Sequence, residues 1–185
     1  MIARLTKSVT AARFARDYAD EPFCELERGE VIYLTAAGWD HSRIVIRIAF
    51  ILQSWAAKSK RGRVLGGEAG VITERHPDTV RGIDVAYVSY RRVPKGTRYD
   101  GFLTTPPDLA VEVIGKGQGW GKMTEKAGEY FSMGVTRVWI VDPKRQKVHV
   151  FRPNGEPTQY ELADVIRDRE VLPGFSCKVS RFFED

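Results

Sequence analysis

Pro106 to Phe131 reads PPDLAVEVIGKGQGWGKMTEKAGEYF. Its first part, Leu109 to Ile114, is a short apolar run of strand type, broken by a single carboxylate, Glu112. A loop rich in Gly and Lys follows, and then residues at helical spacing. Met123, Ala127, Tyr130 and Phe131 form one apolar arc, so a helix is predicted from roughly Lys122 to Met133, with Gly134 in the C-cap role. The next stretch, VTRVWIVDP, is almost continuously apolar, as expected of a strand covered on both faces. Strand, helix and buried strand in succession place this part of the chain among folds with helices packed on a central sheet.

The flanking sequence extends that pattern. GIDVAYVSY alternates in the strand manner, with Asp84, Ala86 and Val88 sharing one face. RVLGGEAGVIT reads as a pair of strands with a glycine-rich middle, and CELERGEVIYLTA as two strands turning at Arg28-Gly29. The longest helical signal is DHSRIVIRIAFILQSWAAKSKRG, with Ile44, Ile48, Ile51, Leu52 and Trp55 on one face, Asp40 or Ser42 as the cap and Gly62 as the stop. TAARFARDYAD predicts a short helix capped by its Thr, and KVHVFRPNGE an edge-type strand. The expected fold is mixed α/β (α+β), in one domain over 1–185 with a helical and strand extension over about 1–40.

Composition narrows the classes further. A chain of 185 residues buries about 70% of its unfolded surface, enough for a real core. The net charge of +5 suits an anionic partner such as nucleic acid without requiring one. Cys24 and Cys177 are too few and too isolated for a zinc finger or a disulfide scaffold, so both are expected to be free thiols in a reducing cytoplasm. There is no run of 18 apolar residues, so no membrane association is expected.

Two acids stand out because each sits inside an apolar strand pattern: Asp84, between Ile83 and Val85, and Glu112, between Val111 and Val113. An ionised carboxylate is too costly to bury alone. Each must face solvent, pair with a cation or bind a metal. Two of them side by side on neighbouring strands would suit a hard divalent cation. Lys116, Lys122 and Lys126 are the cationic candidates. Lys126 borders the apolar arc of its helix next to Tyr130 and is placed to reach toward Glu112. A snorkelling surface lysine is the structural alternative.

Several stretches together, RGIDVAYVS, PPDLAVEVI, EKAGEYFSMGVTRVWIVDPKRQKVHVFRPNGE and VLPGF, resemble the Uma-two family, classed with restriction endonucleases in the PD-(D/E)XK nuclease superfamily. ELERGE, HSRIVIRI and GGEAGVIT fit the same pattern, so the resemblance runs from about Cys24 to Phe183. It implies a restriction-endonuclease-like core with a mixed central sheet. It places the catalytic acids at Asp84 and Glu112, both as metal ligands, and the catalytic lysine at Lys126, because the usual strand position holds Ile114. Glu30 and Glu68 match further recurrent acids, either of which would complete the site, and His41 matches a recurrent His. The chain departs from the family at Ile83, where Pro is usual, and at GKGQGWGK, which replaces a Ser-Pro-Ser-type turn.

The resemblance implies hydrolysis of phosphodiester bonds in DNA with Mg²⁺ or Mn²⁺, the carbonyl of Val113 joining the two acids. Lys126 would orient the attacking water or stabilise charge on the phosphate. DNA is the expected partner, and a homodimer is compatible with such folds. Trp120 offers a face for base stacking or for packing, and Arg91, Arg92, Lys95 and Arg98 form the densest basic stretch. Two other classes stay open: a nuclease-fold module that binds DNA or protein without cutting, and an assembly module in which Asp84, Glu112 and Lys126 are a buried ion-pair network.

Overall fold

The computed structural model describes residues 8–21, 23–98 and 100–184. Residues 1–7, part of the expected N-terminal extension, lie outside them. Helix α1 (Ala11–Asp17) starts at Thr10, whose side chain accepts from the Arg13 amide, as the Thr cap predicts. Strands β1 (Cys24–Glu27) and β2 (Glu30–Tyr33) form a hairpin about Arg28-Gly29. Helix α2 (Trp39–Ser59) begins one residue before Asp40, with Gly38 at its N-cap, and ends at Lys60 in the left-handed region. The sequence points to later caps and to Gly62 as the stop. Gly62 instead opens β3, packed against the Tyr87 ring and the Val88 carbonyl.

β3 (Gly62–Glu74) is one long strand rather than a strand pair, running antiparallel to β4 (Thr79–Ser89). Its glycine-rich middle is a bulge between Gly66 and Ala69, where Gly67 and Glu68 take positive φ. β5 (Leu109–Val113) is buried throughout. Helix α3 (Trp120–Met133) crosses to β6 (Arg137–Asp142), which pairs parallel with β5. Gly134 caps α3 with φ 101°. β7 (Lys147–Phe151) is not an edge, because β8 (Thr158–Tyr160) pairs outside it. The hairpin of β9 (Val165–Asp168) and β10 (Leu172–Lys178) and the short α4 (Ser180–Phe183) close the chain.

The result is a mixed α+β fold around an eight-stranded, mostly antiparallel sheet. Residue parity divides its two faces. Val85, Tyr87, Val111, Val113, Trp139 and Val141 pack under α2, α4 and the β9–β10 hairpin. Ala86, Ala110, Val138 and Ile140 pack under Met123, Ala127 and Tyr130 of α3. Asp84 and Glu112 share the parity of the α3 side.

One feature of the sheet positions the site. β3 runs along one whole edge of β4. On the other edge β5 pairs with Val85, Ala86 and Tyr87, while β1 takes over at Val80. β4 therefore forks between residues 80 and 85, and Arg81, Gly82 and Asp84 lie in the fork.

Candidate active site

The fork leaves backbone donors without a strand partner, and carboxylates take them. The Gly82 amide donates to Glu25 Oε1 at 3.0 Å, and the Val113 amide to Asp84 Oδ2 at 2.7 Å. Register extended one step beyond the Val85–Val111 pair sets Asp84 opposite Glu112. The two acids nominated by sequence thus lie side by side on adjacent strands, both buried.

Helix α3 supplies the rest. Tyr130 donates its hydroxyl to Glu112 Oε1 at 2.6 Å. Lys126, one turn earlier on the same face, places Nζ 3.4 Å from Glu112 Oε2 and 3.0 Å from Glu25 Oε1. At 5% exposure it is no snorkelling surface lysine. Ala86 and Ala110 are the small residues beneath α3 at this point, consistent with a helix close enough for a lysine and a tyrosine to touch the strand.

The other nominated residues divide. His41, in the first turn of α2, lies with Nε2 3.3 Å from Asp84 Oδ2. Glu68 sits on the β3 bulge at φ 59°, a conformation that costs a non-glycine residue about 1–2 kcal/mol. Its carboxylate lies over Gly82, where a Cβ would come within 2.4 Å of Oε2. Glu30 does not join them: it is exposed at the start of β2, opposite Glu27. The acid of that hairpin that reaches the site is Glu25, which sequence reasoning passed over. Arg81 was missed as well. Buried in the fork, it pairs with Glu129 at 2.6 Å, Glu27 at 3.0 Å and Glu25 at 3.2 Å. For Arg81 a signal was present in TVRGID, an arginine inside an apolar strand; for Glu25 there was only the pair of acids at alternate positions of CELE, which does not say whether they face inward.

Trp120, 43% exposed, meets His149 edge-on at 4.5 Å, with Phe151 beside it. The basic stretch from Arg91 to Arg98 follows the opposite end of β4 and is remote from the acids. Arg92 there is engaged by Asp108, Pro106, Gly134 and Thr136.

The electrostatics follow from this crowding. Glu25, Glu27, Glu68, Asp84, Glu112 and Glu129 surround two permanent cations, Lys126 and Arg81. Burial, against the pull of Lys126 and together with the charge of Asp84, pushes Glu112 up to about 8. Desolvation and the neighbouring Asp84 carboxyl push Glu68 up to about 7, although the residue itself is exposed at the rim. The hydrogen bond to Asp84 raises His41. Lys126 is also raised: burial opposes its charge, but Glu112 and Glu25 outweigh it. A concentration of acid inside a chain of net charge +5 is chemically specific. It favours a cation, held by oxygen atoms.

Among the described residues no group of three or more His, Cys, Asp or Glu side chains forms a ready-made metal-ligand set. Two carboxylates nevertheless suit Mg²⁺, which commonly takes one or two and keeps water or substrate phosphate for its other positions.

The sequence pattern of Uma2, described as "Putative restriction endonuclease", matches residues 12–180. The chain belongs to the Uma2 family. Among solved structures, a protein from Anabaena variabilis ATCC 29413, described as "a putative nuclease belonging to DUF820", superimposes with a TM-score of 0.79. The match covers 95% of this chain and 97% of that one at 20% sequence identity, and it shows a shared fold. No curated protein matches the chain. In this Uma2 protein, then, the strand acids Asp84 and Glu112 and the helix lysine Lys126 converge at the sheet fork, with Glu25 tying Lys126 to the hairpin.

Proposed function

We propose that this Uma2 protein is a divalent-metal-dependent endodeoxyribonuclease. The observation that carries the reading is the convergence of Asp84, Glu112 and Lys126 in a site with more carboxylates than cations. Asp84 and Glu112, with the carbonyl of Val113, would hold Mg²⁺ or Mn²⁺, and when bound the ion would polarise the scissile phosphate and acidify an attacking water. The chain's own residues prepare that position. The Val113 amide and Tyr130 hydroxyl fix the two carboxylates, so little reorganisation is needed when a cation and phosphate arrive. Lys126, kept charged by Glu25 and Glu112, is the donor for negative charge developing on the phosphate. Glu25 and Arg81 are positioning residues: Arg81 holds Glu25, and Glu25 holds Lys126.

The test is cleavage of duplex DNA by the purified chain with Mg²⁺, Mn²⁺ or chelator, beside Asp84→Ala and Glu112→Ala. Cleavage at the wild-type rate in both variants sinks the proposal. A second reading, a nuclease-fold module that binds without cutting, is favoured by one observation: both Glu112 oxygens already accept hydrogen bonds. DNA binding that persists without Mn²⁺ binding or cleavage would establish it.

A further inference from the structure

Helix α2 is apolar on two opposite faces. Ile44, Ile48, Ile51 and Leu52 enter the core. Directly opposite, Trp39, Ile46 and Phe50 stand 85%, 68% and 63% exposed, followed by exposed Gln53 and Ala57. An apolar stripe along a helix is normally covered by another element. The outer positions 39, 43, 46, 50, 53 and 57 alternate in steps of four and three, the spacing of a helix–helix seam.

We infer that this face pairs with the same face of a second copy of the chain, helix against helix and antiparallel. The seam is self-complementary about residue 48. In that register Ile46 meets Phe50, Arg43 meets Gln53, and the large Trp39 meets the small Ala57. Charge agrees on the flank. Asp40, 3.9 Å from Arg43 of its own chain yet with a side chain 75% exposed, comes beside the exposed Lys58 of the other copy, acid at one helix start against base at the other helix end. Arg47, near the two-fold axis, brings its own counter-charge, Glu184 at 3.3 Å. A parallel pairing would set Trp39 on Trp39 and Arg43 on Arg43 and would leave Asp40 and Lys58 apart.

The pairing has a consequence that, unlike the pairing itself, rests on the nuclease reading. His41 marks the site end of α2, seven residues from the axis, so two sites lie roughly 21 Å apart along the helix direction. Both sites then belong to one assembly.

Sedimentation of the full chain across the micromolar range tests the inference. The expected result is twice the chain mass, with Phe50→Asp associating on the order of 100-fold more weakly while its circular dichroism is unchanged. Asp40→Lys weakens association, and Asp40→Lys combined with Lys58→Glu restores it, as only the antiparallel register requires. A wild-type monomer throughout, association indifferent to Phe50→Asp, or a charge swap that fails to restore pairing each overturns the inference. A face covered by some other chain would appear as the first of these. A dimer that does not cleave DNA would leave this pairing intact and defeat the nuclease reading alone.

Discussion

Strands β4 and β5 carry buried ionic groups at both ends, and the two ends are built differently. At one end Asp108 accepts from the Ser89 amide at 2.6 Å and lies 3.2 Å from Arg92, while Arg137 binds Asp168 and, at 2.7 Å, Glu170. Guanidinium groups there meet carboxylates and backbone carbonyls in fixed planar geometry. At the other end a single ammonium, Lys126, is shared by Glu112 and Glu25, and Arg81 is divided among three glutamates. One end comes within a single carboxylate of balance, with Arg92 and Arg137 facing Asp108, Asp168 and Glu170. The other holds a surplus of acid, and the surplus appears in the raised pKa values of Glu112 and Glu68. Burial of charge alone therefore does not set the candidate site apart in this molecule; imbalance does.

The sharpest way to break that contrast is to exchange the expected losses. Glu112→Ala is expected to lower DNA cleavage by about 10²–10³-fold or more. Arg137→Met, per folded molecule, is expected to leave cleavage near wild type in the same assay. Equal loss in both would end the distinction. Stability should show the reverse order. Arg137→Met strands Asp168 in the interior and is expected to cost about 3–5 kcal/mol in urea unfolding. Glu112→Gln removes a strained charge and is expected to cost far less at about pH 8.

A smaller effect follows from titration of the metal-free protein. Glu112 and Glu68 hold protons in the fold at pH values where the unfolded chain has released them. The folded state then binds more protons, and stability falls as pH rises from the ordinary glutamate range through about 7 and about 8. His41 acts in the same direction. Its raised pKa gives stability that is present while it is protonated and lost at higher pH. Stability read from thermal melts should therefore decrease between about pH 5 and 8. The slope should flatten in Glu112→Gln, and Mn²⁺ should recover stability most at the alkaline end. A more local change is expected in Tyr130→Phe. It leaves Glu112 Oε1 without its donor at a cost of about 1–3 kcal/mol, and it should leave the Arg137 end untouched.

Much of this arrangement was legible in the chain. Strand parity sets Asp84 with Ala86 and Glu112 with Ala110, and helical phase turns Lys126 toward them; both are local periodicities, and the structure keeps both. What escaped depends on pairing between distant segments. CELERGE is too short for alternation to tell which acid faces inward. Glu25 rather than Glu30 enters because Leu26 joins β4 at Val80. Arg81 is buried because three glutamates from two other elements converge on it. RVLGGEAGVIT looked like two strands because the glycines that make its bulge are also turn residues. The basic stretch that follows β4 begins beyond Ser89, five positions after Asp84. In a strand those five span about 17 Å and end at the opposite edge of the core.

The fork in β4 gives the acids unequal employment. Asp84 and Glu25 act as sutures, each holding a backbone amide that no neighbouring strand can reach. Glu112 stitches nothing and touches only side chains. Under the nuclease proposal, a relative that does not cut would keep the sutures, because they hold the sheet where β5 gives way to β1. The residue free to drift is Glu112, and its identity in a relative is the place to read whether the chemistry has been kept.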